Sequence, residues 1–497
     1  MAAEEIPIYV PIVTFGWVIF VALMGILGPR IVGVKKITRE EWAVAGRSLR
    51  AITNFMTASA TQRSALTFMG FIGLAYMIGA HFSFTFTTAY MIGCSFFFIM
   101  FGTKLWRLGK KHGDLTPTDV ISRYLGGGKW FRLFFAAFLV AALIPYIQAQ
   151  VLGAGWVLES ATGGAMPAWA GALFVYLVVL TYVWLGGVRS IAYTDFTNGC
   201  LMLFYMLVVP VIVVYFFGGG FVEVFSKALS TRPDLLYIGP KWSPLYAATW
   251  GFVYGAGWAF HAHMWLRMLT PKSEFASRAW AATIYTETTI DMTLFYFAAL
   301  TLAVVAPPVI AGVMPDLVFI TSLKAISPVL WAVCLAAIMA ALLSTLDSQV
   351  HALGLVIGHD IVEGLRGKML SEKGFLWTVR LTCLILVGLG YLLALFFPQP
   401  LGWLGVYPAT IGMILMPVCV YVMTGQKWVT KEGVVAGLVA ATAVMVLFSG
   451  YPWLNPGGIY YGFWATLVAA FVTWLVSLFT RSRPSPEAVK DMKEAGW

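Results

Sequence analysis

Long apolar runs separated by short clusters of charge, or by Gly and Pro, dominate the chain. A helix crossing a bilayer needs about 20 mostly apolar residues. Thirteen runs qualify, at roughly 8–31, 51–79, 81–103, 131–158, 167–186, 193–217, 244–266, 279–306, 327–358, 376–397, 400–424, 432–450 and 458–480, numbered α1 to α13. The pattern predicts an all-α integral membrane protein with 13 transmembrane helices and its termini on opposite sides. Run α1 is expected to remain as a helix: Glu4 and Glu5 stand where a signal peptide carries basic residues, and its apolar stretch is long enough to span.

Three runs break the apolar pattern. Run α2 reads NFMTASATQRSALTFMGFIG from Asn54 to Gly73, with Thr57, Ser59, Thr61, Gln62, Arg63, Ser64 and Thr67 in its middle. Run α9 has a matching cluster, AALLSTLDSQVHA, from Ala340 to Ala352. Hydroxyls with freed carbonyls and a carboxylate are what a desolvated Na+ requires, although Ser and Thr also join membrane helices. Run α7 carries Gly251, Gly255 and Gly257 among Tyr254, Trp258 and Phe260, which weakens the helix and supplies aromatic walls. A close helix contact through Gly251 and Gly255 would explain the glycines alone. Runs α2 and α7, however, open two successive five-helix sets, and paired broken helices at matching positions point to an inverted-repeat transporter.

Only 11% of the 497 residues are charged, against about 25% in soluble domains. With 60% hydrophobic residues, this excludes an ordinary soluble enzyme. The net charge of +10 would suit nucleic acid, but the basic residues lie in short segments between apolar runs, so nucleic-acid binding is set aside. Alternate loops and helix ends hold 27 Lys and Arg on one side and four (Lys227, Arg232, Lys241 and Lys324) on the other. That asymmetry predicts a plasma (inner) membrane protein with its N-terminus outside and a short cytoplasmic tail. Cys94, Cys200, Cys334, Cys383 and Cys419 lie inside apolar runs without metal-ligand spacing and are expected to be small core residues. No nucleotide motif or soluble domain interrupts the chain, which argues against a pump or a fused sensor kinase.

An ionisable group in hydrocarbon costs at least about 2.5–3.5 kcal/mol. Those within the runs are Arg63, Asp195, His261, His263, Glu287, Asp291, Asp347 and His351. Asp195, near the start of α6, and His263, near an end of α7, could be interfacial. Glu287 and Asp291 share a helical face with neighbouring threonines, forming an inward polar stripe suited equally to packing or ion passage.

These residues resemble the sodium/solute symporters, which include sodium/proline, sodium/glucose, pantothenate and monocarboxylate carriers. The resemblance covers nearly the whole chain. LLSTLDSQ (Leu342 to Gln349) followed by HDIVEGL from His359 is similar to the family's helix-9 signature. WLGGVRSIAYTDFTNGCLM (Trp184 to Met202) is similar to its entry into helix 6, and Gly251, Gly255, Gly257, Trp258, His263 and Arg267 to the sodium/proline carriers' helix 7. The resemblance implies a 5+5 inverted repeat of the leucine-transporter type, with repeats at about 51–217 and 244–424 and peripheral helices α1, α12 and α13 (about 432–480). It implies a central sodium site at Ala60, Arg63, Ala341, Ser344 and Thr345, and in some members a second at positions matching Ser64, Asp195, Asp347 and Ser348. The substrate cavity would map onto Gln62, Thr67, Tyr146, Gln150, Tyr254, Trp258, His261 and Tyr407.

Arginine at position 63 departs from the family, where that residue contributes a backbone carbonyl and an apolar side chain. Arg63 could pair with Asp347 or Asp195, clamp a substrate carboxylate, or replace Na+, with Asp195, Asp347 or His351 then carrying protons. The leading expectation is Na+-coupled symport of a small organic solute, a monocarboxylate first and an amino acid or sugar as alternatives. A transporter-like sensor, a channel and an enzyme are disfavoured, and no cofactor beyond the coupling ion is expected.

Overall fold

The structure, a computed structural model, describes residues 6–237 and 243–496. Glu4, Glu5 and Lys241 lie outside them. Among the described residues, eleven helices are long and apolar enough to cross a bilayer. These are α1 (Tyr9–Ile31), α3 (Thr87–His112), α4 (Lys129–Ala161), α5 (Ala168–Gly186), α6 (Val188–Gly218), α8 (Glu274–Val305), α9 (Pro328–Arg366), α10 (Glu372–Phe396), α11 (Leu401–Met423), α12 (Lys431–Gly450) and α13 (Tyr461–Phe479). The other two of the thirteen expected runs are the two read from the sequence as interrupted, and each is broken. Run α2 is Ala51–Gln62 followed by a π-turn at Leu66–Gly70 and Phe71–Ile78. Run α7 is Pro244–Ala256, a 3-10 turn at Gly257–Phe260, and Ala262–Leu269.

Helix α9 is the hub of the bundle. Every side chain from Cys334 to Leu355 is buried, because α1, α4, α6, α10 and both broken helices pack around it. Helices α12 and α13 form a peripheral pair resting on α11. Cys200 corrects another expectation: it is exposed on the outer face of α6, whereas the other four cysteines are buried.

Close approach of α7 to α11 requires glycine. A Cβ added at Gly257 would run into the carbonyl oxygen of Ala409, and one at Gly412 into that of Gly257. Neither neighbour can yield, because both are main chain, so the crossing depends on small residues.

At the end of the bundle where most basic residues gather, one ion-pair network joins three segments. Arg39, before α2, donates to Glu363 (Nη1 to Oε1, 2.8 Å). His359, late in α9, lies between Glu363 (2.9 Å) and Asp119 (3.0 Å). Arg132 at the start of α4 contacts both Asp119 and Asp360. Burial alone would raise the Asp119 carboxyl, but the hydrogen bond and charge of His359 and the Arg132 guanidinium outweigh it and hold it below the usual carboxylate range.

Gly257→Val is expected to lower the thermal midpoint in detergent by several degrees, from an overpacking cost of about 1–3 kcal/mol or more. Gly388→Ala, whose new Cβ meets only ordinary contact with Tyr176, should leave it unchanged. Equal midpoints for both variants would contradict the α7–α11 crossing.

Candidate functional site

No proline or glycine stops the first half of α2 at Gln62; side chains do. Arg63 is extended (φ −106°, ψ 125°), so the next amides lose their helical acceptors. Ser64 N–H donates to Thr67 Oγ1 (3.3 Å), Leu66 N–H to Ser64 Oγ (3.1 Å), and Ala65 N–H to Gln150 Oε1 on α4 (3.0 Å). Gln150, expected in the substrate cavity, is thus the cap of the broken helix. Polar side chains competing for backbone groups make the interruption tolerable in a membrane bundle.

Two carbonyls at the break face α9: that of Ala60, which also accepts from Arg63 N–H, and that of Arg63. Ser344 Oγ lies 3.1 Å from Ala60 O and 3.1 Å from Ala341 O, and Thr345 Oγ1 donates to Arg63 O at 2.7 Å. The five residues expected at a central sodium site therefore contact one another in two groups at adjacent residues of α9, Ser344 with Ala60 and Ala341 and Thr345 with Arg63. Three carbonyl and two hydroxyl oxygens, uncharged and buried, form a donor set suited to a hard monovalent cation.

Arg63 does two separate things. Its carbonyl belongs to this oxygen cluster, while its side chain turns away to α8. Nε and Nη2 contact Asp291 Oδ2 at 2.9 and 2.7 Å, Nη1 lies 3.5 Å from Glu287 Oε2, and Nη1 also bonds Ser59 Oγ (2.9 Å) and Ser59 O (3.0 Å). Pairing with Asp347 or Asp195 is therefore corrected: the partners are the carboxylates of the α8 stripe, whose role is now explained. With its fork committed to Asp291, the guanidinium is neither a free clamp for a solute nor in the position of a central ion.

A small central cavity of about 20 Å3, room for about one water, is lined by Gln62, Ser64, Thr67, Phe71, Tyr90, Tyr146, Trp258, His263 and Met264. Four of the expected substrate residues line it: Gln62, Thr67, Tyr146 and Trp258. Tyr254 does not, and its hydroxyl donates to Gly402 O (2.8 Å). His261 Nε2 is 2.9 Å from Pro408 O, joining α7 to α11. Tyr407 is corrected outright: it is half exposed and lines a different pocket with Trp403 and Tyr461, because α11 turns that face outward. Phe71, Tyr90, His263 and Met264 were missed, although His263 was visible as an intramembrane ionisable group. Trp258 Nε1 and His263 Nδ1 are buried without a protein partner, leaving two polar atoms of lining residues for a ligand.

The second expected sodium set does not assemble. Ser64 lines the cavity, whereas Asp195, Asp347 and Ser348 lie together elsewhere. Helix α6 begins at Val188, so Asp195 is two turns inside it and fully buried rather than interfacial. Asp347 accepts from Tyr182 (2.9 Å) and Thr194 (3.3 Å). Arg267 of α7, noted in the sequence only as part of the helix-7 pattern, reaches Thr61 (2.7 Å), Ser348 and Asp195 (3.4 Å). His351 Nε2 lies 2.8 Å from Trp42 O.

The model of the family described as Sodium:solute symporter family matches residues 42–448. Sodium/proline symporter 2 of Staphylococcus saprophyticus is 22% identical over 89% of this chain and 88% of its own length. An uncharacterized symporter, YodF, of Bacillus subtilis is 25% identical over 91% and 90%. Among solved structures, a substrate-bound, outward-open Na+-coupled sialic acid symporter superimposes with a TM-score of 0.79 at 16% identity, covering 96% of this chain and 99% of that one. The closed form of Mhp1, a nucleobase-cation-symport-1 family transporter, gives 0.55 at 12% identity over 91% and 98%. At these identities the likeness concerns the fold.

Arg63→Gln is expected to destabilise the protein by about 3–5 kcal/mol, because a buried carboxylate loses its partner. Adding Asp291→Asn should recover much of the loss, as read by thermal melting without solute. An unchanged midpoint in Arg63→Gln would show that the α8 pair carries no stability.

Proposed function

The chain belongs to the sodium:solute symporter family, and on that premise we propose that it couples inward movement of Na+ to uptake of a small carboxylate-bearing solute, an amino or imino acid first. The observation that carries the coupling is the double use of residues 60–67. Their carbonyls at Ala60 and Arg63 face Ser344 and Thr345, while the side chains of Gln62, Ser64 and Thr67 line the cavity. The hydroxyl protons of Ser344 and Thr345 now point to carbonyls. Rotating them away presents lone pairs to Na+, which would hold α2 against α9 and set the cavity side chains in register. An ion that fixes this segment favours the solute that needs it fixed, and the solute favours the ion by the same factor.

Several observations support an amino or imino acid. Relatives from Staphylococcus saprophyticus and Staphylococcus aureus bear the name sodium/proline symporter. The cavity is narrow, about 20 Å3, which favours a small solute over a large one. Ser64, Thr67, Gln62 and Trp258 Nε1 offer neutral donors to a carboxylate, and Phe71, Tyr90, Tyr146 and Trp258 offer ring faces to an ammonium. A plain monocarboxylate is the second reading, favoured by the lack of any carboxylate among the residues lining this cavity. Its recognition would use these neutral donors and not Arg63. A carrier in which Arg63 replaces sodium loses its basis, since that side chain points to α8. The reading includes the two inverted repeats, residence in the plasma membrane and an outside N-terminus.

In proteoliposomes, an inward Na+ gradient should drive proline uptake that acetate, lactate and pyruvate do not outcompete. Accumulation of those acids instead would select the second reading, and Na+-independent uptake would contradict both. Ser344→Ala and Thr345→Ala should each raise the Na+ concentration for half-maximal uptake about tenfold, the equivalent of about 1.4 kcal/mol. Wild-type Na+ dependence in both would remove the central site.

A further inference from the structure

Asp195, Thr61 and Ser348 form a cation cage on three helices, and its contents are visible. Thr61 Oγ1 donates its proton outward to Thr57 O (2.7 Å), and Ser348 Oγ donates to Ser344 O (2.8 Å). Each hydroxyl therefore turns its lone pairs inward, the orientation an ion would require. Asp195 Oδ2 completes the cage, 3.5 Å from Thr61 Oγ1 and bonded by Thr57. Into this space α7 inserts Arg267: Nε and Nη2 lie 3.1 and 2.7 Å from Thr61 Oγ1, and Nη2 contacts Ser348 Oγ and lies 3.4 Å from Asp195 Oδ2. Arg267 is 2% exposed and Asp195 is fully buried. Asp347 borders the cage: its Oδ2 accepts from Tyr182 and Thr194, and its Oδ1 lies 3.1 Å from Ser348 Oγ.

We propose that Arg267 is a tethered cation occupying the second cation position, so that the protein binds a single Na+, at the central site, in each cycle. This rests on the Na+-coupled reading above. A guanidinium covalently fixed to α7 supplies the positive charge that Asp195 and the inward lone pairs demand, and no mobile ion is then needed to offset the buried carboxylate. Because Arg267 follows the α7 break and contacts α2, α6 and α9, it also fixes the distance between the two broken helices without an ion. Removing its charge while keeping Asp195 should convert the cage into a binding site for Na+, since two hydroxyls and a carboxylate remain.

The test is equilibrium binding of 22Na+ to the purified full-length protein without solute, against a choline background. Wild type should bind one Na+ per chain, Arg267→Gln two, and Arg267→Lys one, as should the double variant Arg267→Gln with Asp195→Asn. Two Na+ in wild type would overturn the proposal while leaving Na+ coupling intact, and this result needs no variant to fold. One Na+ in a folded Arg267→Gln protein, judged by a monodisperse elution profile, would also overturn it. If wild type bound none, the symport reading would fail instead. The tethered-cation proposal would then stand or fall on whether Arg267→Gln gains one site.

Discussion

An amide or carbonyl freed inside a membrane must find its partner within the protein. The interruption of α2 at Arg63 and Ser64 is the place where this constraint shapes the rest of the molecule. Its amides are satisfied by Ser64, Thr67 and Gln150, so α4 must approach at that height. Its carbonyls are satisfied by Ser344 and Thr345, so α9 must present hydroxyls there and occupy the centre of the bundle. The oxygen cluster and the cavity are then two faces of one short non-helical segment. In the proposed function, coupling runs through that shared backbone and needs no long-range path.

Two buried guanidiniums show how the same principle governs charge. Arg63 is paired with Asp291 and Glu287 on α8, and Arg267 with Asp195 on α6. Each spans from a broken helix to a continuous one. Truncating one partner of such a pair leaves an uncompensated charge, so both pairs fix how the broken helices sit against the scaffold. With both arginines committed elsewhere, neither lines the cavity, which limits how a solute's carboxylate is recognised.

How much of this was legible in the sequence follows from what hydrocarbon forbids. Polar clusters in α2 and α9 stood out because an apolar span does not tolerate them without cause, and they led to the central oxygen set. The rotation of each helix about its axis was not legible, because packing sets it. Arg63 therefore had Asp347 or Asp195 as expected partners when the α8 stripe faced it, and Tyr407 was placed in a cavity that α11 turns it away from. Arg267 was hidden differently. It lies near the basic-loop end of α7, where positive charge is ordinary, and only the kink after His261 carries it inward to Asp195. That α2 and α7 are interrupted was legible from their polar and glycine clusters, but where each half-helix ends was not, since hydropathy does not distinguish a helix from two half-helices in line.

The central claim is that Na+ binds between the break in α2 and the hydroxyls of α9 and orders both. Hydrogen–deuterium exchange on the reconstituted protein, comparing Na+ with equal K+, tests this at the segments themselves. The account predicts that peptides covering residues 60–67 and 341–348 exchange more slowly in Na+, together and with the same Na+ dependence. Protection confined to other segments, or equal exchange in the two salts, would contradict it.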